Sequence, residues 1–319
     1  QGASIVHGNA VFSNPNATTL EISNSPGAIL NWQAFDIGVG ETTRFIQDSA
    51  SSAVLNRVVS GNSSEILGTL LSNGRVFLIN PAGILIGRDA VVDTAGLVMS
   101  TLAMRDEDFM TGRLHFEDDG SAAPLVNQGY IKTAPGGEII LIAPTITNES
   151  LAGNPNSGLI ESPAGDLILA AGSAITIASL DHPDISFEVR APQHEVVNLG
   201  QLLAAGGSVS VLAGTLRHAG EINADALTYD DAGRVVLAVS DNVYLEQNST
   251  VSASGPGQGG EIEVAAGQAG SGGRLYALGH IAANGNDGGQ INLTADRVLL
   301  SGAVQASGAI SGGDIEVGA

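Results

Sequence analysis

Two side-by-side carboxylate pairs, Asp118-Asp119 and Asp230-Asp231, are the residues of this chain best suited by type to acid–base work. Glycoside hydrolysis needs two carboxyl groups held at a set separation across the scissile bond. Here both pairs run straight into Gly120 or Ala232-Gly233, and so read as turns. A lyase-like site would also need Lys, Arg or His beside clustered Asp, yet Lys132 is the single lysine. The six histidines (His7, His115, His182, His194, His218, His280) show no i, i+4 pairing or other zinc spacing, and cysteine is absent. A nucleophile elbow and a phosphate loop are also missing. These absences point away from an enzyme: no catalytic residue, metal or cofactor is expected.

The elements that would have to position any site announce themselves by repetition. A glycine pair precedes a short alternating strand at Gly136-Gly137-Glu138-Ile139-Ile140-Leu141, Gly206-Gly207-Ser208-Val209 and Gly259-Gly260-Glu261-Ile262. The frame returns at Gly288-Gly289-Gln290-Ile291 and Gly312-Gly313-Asp314-Ile315, with Ala-Gly variants at Ala164-Gly165 and Ala232-Gly233. From pair to pair the spacing is 28, 42, 26, 27, 29 and 24 residues. Self-similarity at such a period marks stacked repeats. One repeat, residues 288–311, predicts three strands at 290–295, 297–300 and 303–306, separated by turn residues where glycine supplies positive φ. No repeat can bury its own apolar face, so stacking must do it. Three short strands per repeat predict an all-β fold, one rung of a parallel β-helix at a time. Gly285-Asn286-Asp287-Gly288-Gly289 has the composition of a calcium-binding solenoid repeat, but such sites stack several copies and one copy reads as a rung corner.

The 42-residue interval carries surplus chain, assigned to residues 180–195 as a hairpin or loop leaving the solenoid; residues 105–124 read as a second excursion. The net charge of −21 argues against nucleic acid and against anionic lipid surfaces. No apolar run approaches the length needed to span a bilayer, so no membrane insertion is expected. The start at Gln1-Gly2-Ala3 lacks an initiator Met, and the end falls in mid-repeat, which suggests an N-terminal piece of something longer.

The first half is not repetitive and holds the specific words. Asn31-Trp32-Gln33-Ala34-Phe35-Asp36-Ile37-Gly38 is followed by Arg44-Phe45-Ile46-Gln47, Ser52-Ala53-Val54-Leu55-Asn56-Arg57-Val58 and Ser64-Glu65-Ile66-Leu67-Gly68. Then come Asn73-Gly74-Arg75-Val76-Phe77-Leu78-Ile79-Asn80-Pro81-Ala82-Gly83-Ile84 and Gly96-Leu97-Val98-Met99-Ser100-Thr101. This series resembles the secretion (TPS) domain of two-partner secretion exoproteins, the TpsA family of filamentous haemagglutinin, high-molecular-weight adhesins, haemolysins and contact-dependent inhibition toxins. The resemblance implies a right-handed parallel β-helix with an N-terminal cap and extra-helical β-hairpins. It implies a secretion domain over residues 1–250 and the start of a repetitive stem over 251–319. It also implies a partner, the POTRA domains of an outer-membrane TpsB-type transporter, and export through the periplasm of a Gram-negative bacterium to the cell surface, where the β-helix folds. Contact with a host cell surface would belong to the full-length protein, and the domain is expected as a monomer.

The family's turn reads Asn-Pro-Asn-Gly, whereas this chain has Asn80-Pro81-Ala82-Gly83. Pro81 fixes φ at the second turn position and Gly83 suits the fourth, so the turn should form, though any bond from the missing Asn side chain is lost. The second family word, Asn-Pro-Asn-Leu, is absent from its place. Asn14-Pro15-Asn16-Ala17 and Asn154-Pro155-Asn156-Ser157 read as local turns, which aligns the chain with the haemolysin and high-molecular-weight-adhesin branch. Asn56 and Asn80 are candidate turn asparagines for transporter recognition or the folding nucleus, and the structural role is the larger part. Arg57 reads as a surface residue paired with an acid, or else a transporter contact. Trp32 and Phe35 read as packing at the cap. Two other functions remain to be weighed: a host glycan- or matrix-binding adhesin module, using the two excursions, and a polysaccharide-acting β-helix enzyme.

Overall fold

The computed structural model describes residues 2–118, 120–177, 185–188, 194–267 and 272–318. The chain coils through three long sheets, A and B of twelve strands and C of nine. One turn of the coil passes A, then C, then B: Glu138–Ala143, Thr145–Asn148 and Leu159–Glu161. The next turn returns to sheet A at Asp166–Ala171, parallel to Glu138–Ala143 and in register from Glu138↔Asp166 to Ala143↔Ala171. Each rung thus hands its open backbone edge to the following one, which is how a solenoid satisfies groups no single repeat can. The repeat chosen from sequence folds as read, with strands Gln290–Ala295, Arg297–Leu300 and Ala303–Gln305 and one unforeseen short strand, Gly308–Ser311.

The glycine pairs owe their recurrence to stacking more than to turn conformation. Positive φ occurs at the first residue of only some pairs, Gly136 and Gly206 at +77° and Ala164 at +51°. Geometry demands the second glycine of every pair, and at Gly259 and Gly288 the first as well. A Cβ on Gly165 would sit 1.8 Å from the Gly137 carbonyl oxygen, one on Gly207 2.0 Å from that of Gly165, and one on Gly289 2.1 Å from that of Gly260. Those carbonyls accept from the rung above, as in Gln290 N–H to Gly260 O at 2.9 Å. The backbones therefore stack at a corner where no side chain fits.

Inward-facing Ile, Val and Leu from every sheet form one continuous core, from Ile22 and Phe45 through Ile139 and Leu167 to Ile291 and Leu293, nearly all fully buried. Each such side chain is worth roughly 1.5–3 kcal/mol in removal from water. At the N-terminal end the chain reverses. Ala3–His7 runs antiparallel to Ala28–Trp32, and Ala10–Asn16 antiparallel to Thr19–Asn24. Both end strands carry a register break, and the second carries Pro15, features that blunt an edge against further pairing. Asn14-Pro15-Asn16 is therefore mostly strand. Only Asn16 begins a turn, its Oδ1 accepting from the Thr18 N–H at 3.0 Å.

The expected excursion at 105–124 leaves the coil between sheets A and C and contains a short helix, Asp106–Met110, and a strand, Leu114–Glu117. The second departs from the same corner two full turns later and begins earlier than expected, at Ala174–Ile177. That strand pairs antiparallel with Leu114–Glu117 and with Ile185–Glu188, making a three-stranded sheet outside the solenoid. Most of residues 180–195 lies outside the described residues, but Glu195 already belongs to a sheet C strand, Glu195–Asn198.

Candidate functional site

The aromatic residues singled out near the cap come together inside the first rungs. Trp32 packs edge-on against Phe35 at 5.2 Å between ring centres and against Phe12 at 5.9 Å, and Phe35 stacks on Phe45 at 6.4 Å. Phe12 comes from the antiparallel end strand, so the cluster ties the cap to the first coils. An indole buried this deeply needs an acceptor. It finds one in Asn56, whose Oδ1 takes the Trp32 Nε1–H at 3.0 Å while its Nδ2 donates to the Phe77 carbonyl at 3.3 Å. Asn56 lies in the middle of Ala53–Val58 and points inward, fully buried. It is not a turn residue, which corrects the sequence expectation.

Asn80 is a turn residue, and it too is fully buried. Its Oδ1 accepts from the Ala82 N–H at 3.0 Å, and its backbone carbonyl from the Gly83 N–H at 3.0 Å. Its Nδ2 donates to the Asn62 carbonyl at 3.0 Å and to Ser64 Oγ at 2.9 Å, one rung earlier. Pro81 O accepts from the Ala123 N–H of the following rung at 2.8 Å, and Gly83 has φ +111°. The turn thus forms with Ala82 in the family's Asn position and joins three consecutive rungs. Asn56 and Asn80 do not share a site.

Arg57, next to Asn56 in the strand, points the opposite way. Its Nη2 donates to Asp106 Oδ1 at 2.6 Å and to the Met104 carbonyl at 2.8 Å. It therefore pairs with an acid, as one reading held, and that acid opens the helix of the first excursion. Beneath this latch lies a second apolar cluster on the outer face of sheet A. Leu55, Phe77, Ile79, Val98, Ile140, Ile142 and Ile168 are covered by Met104, Phe109, Leu114, Phe116, Ile175 and Ile177 from the two excursions. Phe77 meets Phe109 edge-on at 5.1 Å. Asp108, 2% exposed, is held inside the cover by Arg113. The signal that could have found this cover is the loss of alternation: EIILIA and DLILAA are apolar on both faces, whereas EIEVAA and QINLTA alternate.

Sequence reasoning also missed a buried polar ladder where sheet C meets its corner. Asn127, Asn148, Asn198 and His218 end four successive strands in register, and all are fully buried. Asn127 Nδ2 donates to Asn148 Oδ1 at 2.8 Å, and Asn148 Nδ2 to Asn198 Oδ1 at 2.9 Å. Asn198 Nδ2 lies 3.1 Å from His218 Nδ1, and His218 Nε2 lies 3.1 Å from the Thr250 carbonyl. An amide nitrogen only donates, so Nδ1 is the acceptor and the proton sits on Nε2. Burial pushes the His218 imidazole below its usual range, with the Thr250 and Asn198 contacts and Glu221 opposing.

Of the carboxylates considered for hydrolysis, Asp119 lies outside the described residues, and the others do not form a site among the described residues. Asp118 Oδ1 accepts from the N–H groups of Gly120 at 2.8 Å and Ala122 at 3.1 Å, closing a turn. Asp231 accepts from Thr228 Oγ1 at 2.5 Å, and among the described residues no three His, Cys, Asp or Glu converge on a metal position.

Comparison with known proteins places this architecture. The family model for the TPS secretion domain matches residues 6–263. The solved HMW1 secretion domain of Haemophilus influenzae superposes with a TM-score of 0.88 at 32% identity, over 97% of this chain and 84% of that one. Two curated Haemophilus influenzae heme/hemopexin-binding proteins are 40% identical over 102 residues and 36% over 97, or 32% and 30% of this chain. The matched stretches span 11% and 10% of those relatives' own lengths. With a capped parallel β-helix, two joined excursions and that match over most of its length, the chain belongs to the TPS secretion domain family, the secretion domain of two-partner secretion exoproteins.

Proposed function

We propose that the POTRA domains of the transporter read this domain as an extended chain, and that the cap and covered rungs then nucleate β-helix folding at the cell surface. The observation that carries the reading is burial: Asn56 and Asn80 are both 0% exposed. In the folded domain neither can touch a transporter. Any recognition through them precedes folding, when a strand can add to a sheet edge by backbone pairing. After export their role is to fix the first rungs, Asn56 through Trp32 and Asn80 through its three-rung turn. A boundary near residue 250 between secretion unit and stem fits this reading, since the cover on the outer face of sheet A runs out at Arg234–Val239, where Ala238 is still packed against it and Arg234 is exposed. Purified POTRA domains should retain chain freshly diluted from urea and pass chain that has been allowed to fold. Equal retention of folded chain would contradict the proposal.

For the parent exoprotein, the names of the two curated relatives favour a heme- or hemopexin-capturing cargo over the adhesin, haemolysin or toxin expected from the resemblance. Retention of the full exoprotein on hemin-agarose, but not of this domain, is the expected result.

A further inference from the structure

We infer that the Asn127–Asn148–Asn198–His218 ladder is a proton-sensitive lock on the middle of the solenoid, closed by neutral His218 and broken when the ring takes up a second proton. The ladder has a direction. Each amide gives its Nδ2–H to the next residue's acceptor, so the last member must accept. Neutral His218 does so at Nδ1 and passes its Nε2–H to the Thr250 carbonyl. A protonated ring is a donor at both nitrogens, so two N–H groups would face each other across the Asn198–His218 contact.

The amides cannot turn over to accommodate it. Asn198 Oδ1 already accepts from Asn148 Nδ2 and from the Gly200 N–H at 3.3 Å. Asn127 Oδ1 accepts from the Gly129 N–H at 3.1 Å, and Asn148 Nδ2 also donates to the Gly158 carbonyl at 2.9 Å. Reversing one amide would strand donors in every rung behind it, each a buried polar group without a partner.

The charged groups around the ring do not rescue the protonated form. On the adjacent sheet B strand, Glu221 is the nearest acid, and its carboxylate already accepts from Gln201 Nε2 at 2.7 Å and Asn223 Nδ2 at 3.4 Å. On the preceding sheet C strand, Glu195 pairs with Arg217 on the outward face. On the following strand Leu245 lies in register with His218, and Tyr244 faces outward under the Arg217 guanidinium. Glu246, past that strand, is exposed, and Thr250–Ser252 carries no titratable side chain.

The test uses His218→Asn. Asparagine continues the ladder, because Asn Oδ1 accepts from Asn Nδ2 at 2.8 and 2.9 Å in the two rungs before it, and it cannot be protonated. His194, also buried and also held below the usual range, mainly by burial, is replaced in parallel by His194→Gln as the control. Below the ordinary histidine pKa, the folded-to-unfolded ratio of the wild-type chain in urea should fall about tenfold per pH unit more than that of His218→Asn. His194→Gln should retain that extra loss. If His218→Asn follows the wild-type pH dependence, the proposal is overturned. If that variant does not fold, the wild-type His218 ring is followed by NMR. Titration below the ordinary histidine value, with loss of amide protection at Asn148 and Asn198, supports the lock; titration at or above it without that loss overturns it.

Discussion

Sheet A behaves differently at its two ends. From Ala53–Val58 through Asp166–Ala171 its outer face is apolar and covered by the excursions, so Ile140, Ile142 and Ile168 are as inaccessible as the core residues beside them. From Arg234–Val239 through Gln290–Ala295 the same face carries Arg234, Glu261, Glu263, Gln290 and Asn292 and is partly open to water, with Ala238 at the border still packed against the covered cluster. A bare rung needs only its neighbours and can be repeated without limit. A covered rung also needs chain from up to two turns away, because Leu114–Glu117 must meet Ala174–Ile177. The covered half is where a unique, one-time structure is built, and it is also where the family-specific words lie.

That contrast can be broken most severely at Ile140. Ile140→Ala should cost about 2–5 kcal/mol in urea unfolding, as expected for a filled two-sided position. Val236→Ala, in the corresponding outward position of the bare region and in register with Ser210 and Glu263, should cost under ~1 kcal/mol. Similar losses at the two sites would erase the distinction. Gly207→Ala comes next, at roughly 1–3 kcal/mol or more from forced overlap with the Gly165 carbonyl. Gly312→Ala, with nothing within 4 Å of its Cβ position, should be near neutral, so the pair checks that stacking rather than turn conformation selects the second glycine. Asn56→Leu leaves the Trp32 indole N–H without its acceptor and should cost about 1–3 kcal/mol, read also as a changed tryptophan emission. Arg57→Ala should have the smallest effect, about 1 kcal/mol or less globally, because the Asp106 partner is partly exposed. Its signature is faster hydrogen exchange confined to the cover helix, with the bare rungs unchanged.

The repeat was legible almost to the residue because its period, alternation and corner glycines are all local signals. What was not legible depends on distant partners. Asn56 looks like any strand-flanking asparagine until Trp32, 24 residues away, is placed against it. The ladder joins Asn127 to His218 through residues with no common spacing, since the excursion stretches one interval and not the others. Sequence alone marks where the glycine pairs recur but not why each needs a glycine. Only stacked backbones reveal that the second member is selected by a carbonyl from another rung. Arg57 was recognised as an ion-pairing residue, but its acid sits 49 positions on, in a helix the composition did not suggest.

The measurement that bears most directly on the account is transporter-dependent export. The domain, carrying a signal peptide, is co-expressed in a Gram-negative host with the cognate TpsB transporter, and the medium is assayed for folded protein. The account predicts export with the transporter and none without it, with Asn56→Asp and Asn80→Lys each reducing the folded yield. Equal amounts of wild-type protein in the medium with and without the transporter would contradict it.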